Sequence, residues 1–197
     1  MHNLTYQYLH RPNSTTAYLI LHGISEGISS DFIRNIYSTV AATGDSVLAL
    51  NFPYIDARSK PSPDMADECA ALQTAFDFLQ GEGYTNVSII AKSLGGIVTS
   101  HWLEQHPDSN VNVSILGYVL GDVHTAALKG KLHTVIQGAN DRFGNAAVIQ
   151  TELDEHDVTA KVVEIDNADH SYRDGQGNPS RQEAAMEQLM RSPGLNS

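Results

Sequence analysis

Continuous apolar runs alternate with stretches of helical spacing along most of the chain. Residues 17–21 (Ala-Tyr-Leu-Ile-Leu), 47–52, 87–91, 113–120, the neighbours of Val135 and Ile136, and 161–165 read as strands. Most lack alternation, as expected of strands buried on both faces of a parallel sheet. Residues 4–8 alternate enough to predict a short antiparallel strand at an edge. Between the strands lie helical patterns. Asp31 is placed to cap a helix carrying Phe32, Ile33, Ile36 and Val40, closed by Gly44. Residues 64–79 predict an amphipathic helix with Cys69, Leu72, Ala75, Phe76 and Leu79 on one face. Residues 95–105, 145–153 and 180–190 predict three more, the last with Ser180 and Glu183 spaced as a capping box. The stretch through Lys60-Pro61-Ser62-Pro63 reads as a loop, because two prolines forbid a regular element.

This order predicts an α/β fold of right-handed βαβ units: about six parallel strands plus the antiparallel N-terminal strand, with helices on both faces. No repeat, low-complexity tract or linker divides it, so residues 1–197 are expected to form one domain. In such sheets, sites form at the carboxyl ends of the strands.

One strand end carries distinctive chemistry. Ile89-Ile90-Ala91-Lys92-Ser93-Leu94-Gly95-Gly96-Ile97-Val98 is an apolar climb to a serine, two glycines and a helix. It fits the small-x-Ser-x-Gly form of a nucleophile elbow, with Ala91 at the position where glycine is usual. Such a turn holds its serine in strained backbone and aims N–H groups of the new helix at the serine oxygen. A glycine-rich phosphate cradle is the bland alternative, but neither G-x-x-x-x-G-K-[ST] nor G-x-G-x-x-G is present.

A serine needs a base, and the base an orienting acid. The strand at Val135-Ile136-Gln137-Gly138 runs into Ala139-Asn140-Asp141, and residues 161–165 run into Asn167-Ala168-Asp169-His170. The order serine, acid, histidine, each after its own strand, is that of the α/β-hydrolase architecture. Asp122, from the preceding strand end, is a rival acid to Asp141. For the oxyanion, the backbone N–H of Leu94 is one candidate donor and that of Ile24, after His22-Gly23, the second. His22, Tyr54 and His124 are candidate pocket residues; His22 equally suits a role in shaping the oxyanion loop, and Tyr54 a core position. Lys92 reads as a surface or supporting residue rather than the base, since adjacent residues on a tight turn point apart. Cys69 reads as a small buried hydrophobe.

Composition narrows the function classes. A 197-residue chain with 41% hydrophobic and 18% charged residues has the make-up of a globular domain with a proper core. The net charge of −11 repels polyanions over most of the surface, so nucleic acid is not an expected partner. No basic-then-apolar start and no apolar run of membrane-spanning length is visible, so a cytoplasmic location without membrane contact is expected. No metal-ligand spacing or cofactor motif stands out, so none is expected.

His22-Gly23, Ala91-Lys92-Ser93-Leu94-Gly95-Gly96, Asp141 and His170 together resemble the α/β-hydrolase superfamily over nearly the whole chain. The Lys-Ser-Leu-Gly-Gly elbow, with Asn51-Phe52-Pro53-Tyr54 and the prolines after it, is similar to one branch. That is the dienelactone-hydrolase-like group containing testis-expressed protein 30 and subunit 3 of the NSL histone acetyltransferase complex. The dienelactone hydrolases proper carry cysteine where this chain has Ser93. The resemblance implies a serine hydrolase of small-molecule carboxylic esters or thioesters, with Ser93, Asp141 and His170 catalytic. The loops between strands are too short for a large cap domain. The sequence leaves two other readings open: a non-catalytic interaction module on the same fold, and an acyltransferase using the same acyl-enzyme.

Overall fold

The computed structural model describes residues 1, 4–25, 27–193 and 195. A seven-stranded sheet forms its centre, in the order β1-β3-β2-β4-β5-β6-β7. The strands are β1 (Tyr6–Leu9), β2 (Thr16–Leu21), β3 (Ser46–Leu50), β4 (Asn86–Lys92), β5 (Val111–Leu116), β6 (Leu132–Gly138) and β7 (Lys161–Ile165). Only β1 is antiparallel, paired with β3 at one edge; every other neighbour pair is parallel. The sheet therefore has the predicted strands, and they differ from the reading mainly in where they stop.

Two layers of helix cover the sheet. Successive strand residues point to opposite faces, so the continuous apolar runs feed two cores. Leu19, Leu21, Ile89 and Ala91 belong to one, packed with α3 (Ala66–Gly81), α4 (Leu94–Gln105) and α5 (Ala146–Glu155). Tyr18, Ile20, Val47 and Ile90 belong to the other, packed with α1 (Asp31–Ala41) and α6 (Gln182–Met190). Among the described residues no further domain covers the carboxyl edge of the sheet, and no helix is long and apolar enough to cross a membrane.

Several local expectations need correction. Ser30, not Asp31, caps α1: its backbone is extended and its Oγ accepts from the Ile33 N–H, leaving Asp31 in the first turn, where an acid suits the helix dipole. The strand expected to reach residue 52 ends at Leu50, and a short helix α2 (Pro53–Ala57) follows, with proline at its first position. α3 begins at Ala66, because Asp64 and Met65 are left-handed. The strand expected over 113–120 stops at Leu116, ahead of Gly117 at φ +69°. Ser180 caps nothing: its hydroxyl donates to Asp174, and α6 starts at Gln182.

Topology fixes where a site can form. β2 connects outward to β3 on one side, and the chain then returns to lay β4 on the other side of β2. The connections leaving β2 and β4 diverge, which opens a crevice at their carboxyl ends. Gly23 follows β2, and Ser93 follows β4. Glu26, within the expected loop after β2, lies outside the described residues.

Candidate active site

Ser93 sits between β4 and α4 with φ 51° and ψ −111°, a conformation that non-glycine residues rarely adopt. Its N–H donates to Leu116 O at 3.0 Å, and its own carbonyl accepts from Gly96 N at 2.8 Å, so both ends of the turn are tied down. Small residues make this approach feasible. A Cβ on Gly95 would stand 2.8 Å from Leu21 O and 2.9 Å from Leu21 Cβ, so the elbow presses directly on β2. Leu94 opens α4, and its N–H therefore has no acceptor within the helix.

The loops after β6 and β7 bring an acid and a histidine to this serine. His170 Nε2 lies 2.7 Å from Ser93 Oγ, and His170 Nδ1 lies 2.7 Å from Asp141 Oδ2. A carboxylate can only accept, so Nδ1 carries the proton and Nε2 is left to accept from the serine hydroxyl. Asp141 is buried and fully engaged. Its Oδ2 also accepts from Gln137 Nε2 at 2.9 Å, and its Oδ1 accepts from Phe143 N–H at 2.9 Å. Burial holds the His170 imidazole below its ordinary pKa; the Asp141 hydrogen bond opposes this, while the charges of Lys92 and Arg142 add to it. The rival acid, Asp122, stands exposed at the far side of Gly121.

Gln137 escaped the sequence reading. It is fully buried and fastens three things at once: Asp141, Gly144 O at 2.7 Å, and the backbone of Tyr118. The available signal was an amide directly after the apolar pair Val135-Ile136 at the end of a buried strand, since buried polar groups need partners.

The second loop is held just as firmly. His22 is fully buried and accepts from Phe52 N–H on Nε2 at 2.9 Å, so its Nδ1–H donates to Gly23 O. The Tyr54 hydroxyl donates to the same oxygen at 3.0 Å. A trans peptide is planar with its N–H opposite its C=O, so the Ile24 N–H is turned away from these two side chains. Burial pushes the His22 imidazole down to about 4, against weaker opposing contributions from Gly23 and Asp56.

A cleft of about 360 Å³ opens beside Ser93, with Gly23, Ile24, Phe32, His170, Arg173 and Gln182 on its walls. The three expected pocket residues do not line it. His22 and Tyr54 lie behind the Gly23 loop, because α2 turns Tyr54 inward. His124 is held on α4, with its N–H on Ser100 Oγ and its ring 3.9 Å from that of His101. Lys92 is buried rather than on the surface, although it does point away from the serine hydroxyl, toward His170 O. Cys69 is buried and its thiol pushed up to about 11, chiefly by burial, which suits a core residue. Among the described residues, no group of three or more His, Cys, Asp or Glu converges as a metal site requires.

No curated protein matches the chain. Among solved structures, an alpha-beta serine hydrolase homologue from Coxiella burnetii superposes with a TM-score of 0.76 at 13% identity, covering 95% of this chain and 90% of that one. A serine hydrolase without lid from Xanthomonas campestris gives 0.72 at 12% identity, covering 97% and 90%. An esterase from Pyrococcus furiosus gives 0.72 at 17%, covering 97% and 88%. At these identities the likeness concerns the fold, and it does not single out the dienelactone-hydrolase-like branch. The family profile described as alpha/beta hydrolase domain matches residues 14–193, from just before β2 to just after α6. Since that span takes in the whole parallel sheet and every loop that meets at Ser93, the chain belongs to the alpha/beta hydrolase domain family.

Proposed function

We propose that the protein is a serine hydrolase that cleaves carboxylic esters, and thioesters by the same route, through an acyl-enzyme on Ser93. The observation that carries this reading is the continuous hydrogen-bonded line from Ser93 Oγ through His170 to Asp141, with 2.7 Å at both links. Ser93 Oγ attacks the acyl carbon while His170 Nε2 takes its proton. The carbonyl oxygen becomes an oxyanion and accepts from the N–H groups of Leu94 and Ile24. His170 then returns the proton to the leaving oxygen or sulfur. Water attacks the acyl-enzyme by the same steps in reverse order, releasing the acid and restoring Ser93. His22 and Tyr54 serve this chemistry by holding the Gly23 carbonyl, which presets the Ile24 donor.

The open cleft of about 360 Å³ favours a compact small-molecule ester. A net charge of −11 argues against nucleic acid as substrate or partner. A scaffold that had lost catalysis would have no use for a buried carboxylate held by Gln137 and aimed at His170. Hydrolysis of p-nitrophenyl acetate tests the reading. Ser93→Ala and His170→Ala are each expected to lose at least about a thousandfold in kcat while remaining folded. Turnover at the wild-type rate in folded Ser93→Ala would refute it.

A further inference from the structure

The residue before Ser93 is a buried lysine that the hydrolase chemistry above does not use. Lys92 ends β4 with only 8% of its surface exposed. Its Nζ donates to the backbone carbonyl of His170 at 2.9 Å and stands 5.6 Å from the centre of the Tyr172 ring. Gly117, at φ +69°, makes room for this. A Cβ there would stand 2.8 Å from Lys92 Nζ, 3.0 Å from His170 Cε1 and 3.2 Å from His170 Nδ1. The ammonium and the imidazole thus meet over one bare stretch of backbone at the end of β5.

Packing does not call for a charge at this position, since an unbranched apolar side chain of equal length would fill it. Burying an ammonium is unfavourable unless it is well compensated. Burial pushes Lys92 down to about 8, with attraction from Asp141 and then Asp169 opposing it. Such a group beside a proposed base suggests a task in the chemistry. Among the described residues, the charged and titratable groups around it come from two loops and one helix. Asp141 and Arg142 come from the loop after β6; Asp169, His170, Tyr172 and, on the cleft wall, Arg173 come from the loop after β7. Across the cleft, Asp31 on α1 is paired with Arg34.

We propose that Lys92 is a positioning residue for His170: its ammonium holds the His170 carbonyl, and its charge offsets that of Asp141 so that the imidazole meets Ser93 neutral. This rests on the hydrolase reading. Asp141 alone favours the imidazolium, and an imidazolium cannot accept the serine proton. With Lys92 charged, the ring stays neutral to lower pH. When Lys92 loses its proton, both the clamp and the balance weaken.

The test pairs kcat–pH profiles with NMR titration of the His170 13Cε1 signal, identified by its absence in His170→Gln. Lys92→Met removes donor and charge. Lys92→Gln removes the charge and keeps a donor. The wild type is expected to lose activity on the acid side as His170 protonates, and again above about pH 8 as Lys92 deprotonates. Lys92→Met should lose about tenfold to a hundredfold in kcat at the optimum. Lys92→Gln should recover part of that loss. Both should lack the alkaline limb, and in both His170 should titrate at higher pH than in the wild type. An imidazole that titrates at the same pH in all three proteins overturns the inference. So does failure of both variants to fold, since Lys92 would then serve the fold. Absence of Ser93 labelling by a fluorophosphonate in the wild type would instead refute the hydrolase reading, and the NMR titration would still decide whether Lys92 acts on the ring.

Discussion

Two donors converge on one backbone oxygen at Gly23, and one of them is a histidine that must stay neutral. His22 accepts from Phe52 N–H and donates to Gly23 O, so a second ring proton would break the first of these bonds. Its folded pKa of about 4 lies below the ordinary 6.5. The folded protein therefore declines a proton that the unfolded chain accepts. The stabilisation is complete above about pH 6.5 and is lost as pH falls toward 4; it amounts to at most about 3 kcal/mol. Urea unfolding at intervals between pH 7.5 and 4.5 should show a decline that is shallower in His22→Asn. Equal slopes in both proteins would remove His22 from the account. At this scale Ser93, Asp141 and His170 were legible because each sits at a strand end with its chemistry exposed in the sequence. Gln137 and the burial of Lys92 were not, since a strand's last side chain can point into the site or away from it, and only the neighbouring loops decide.

The elements follow the same division. Strand cores were legible from apolar runs, because a two-sided core leaves little room for polar residues. Their ends were not. β3 stops short because Asn51 turns its side chain to Ile28 N–H and Asp56, and Pro53 then starts α2 rather than a loop. That short helix is what carries Tyr54 behind the Gly23 loop instead of into the cleft. The join of β4 to α4 depends on bare backbone at Gly95 against Leu21. Gly95→Ala is expected to destabilise the protein by about 1–3 kcal/mol and to lower esterase activity, because either the elbow or β2 must shift. Gly81, at the end of α3, has open space around it. Gly81→Ala should be neutral or stabilising by up to about 1 kcal/mol. Denaturant midpoints compare the two directly, and equal effects would contradict the packing argument.

On the scale of the whole molecule, the sheet's strand order explains why chemistry gathers at one place. Residues as far apart in the chain as Gly23 and Gln182 meet at the carboxyl edge between the diverging connections of β2 and β4. The alternation of strands and helices makes that edge legible in the sequence, whereas the lining of the cleft depends largely on the loops after β2 and β7, which have no periodic pattern to read. An activated serine at this edge is what distinguishes a working hydrolase from an inert scaffold of the same fold. Incubation with a fluorophosphonate, followed by mass spectrometric mapping, reads out that activation. One adduct is expected, on Ser93, absent in Ser93→Ala and formed at least about a hundredfold more slowly in His170→Ala. No adduct on the folded wild-type protein, or an adduct on another residue with Ser93 unmodified, would contradict an activated Ser93.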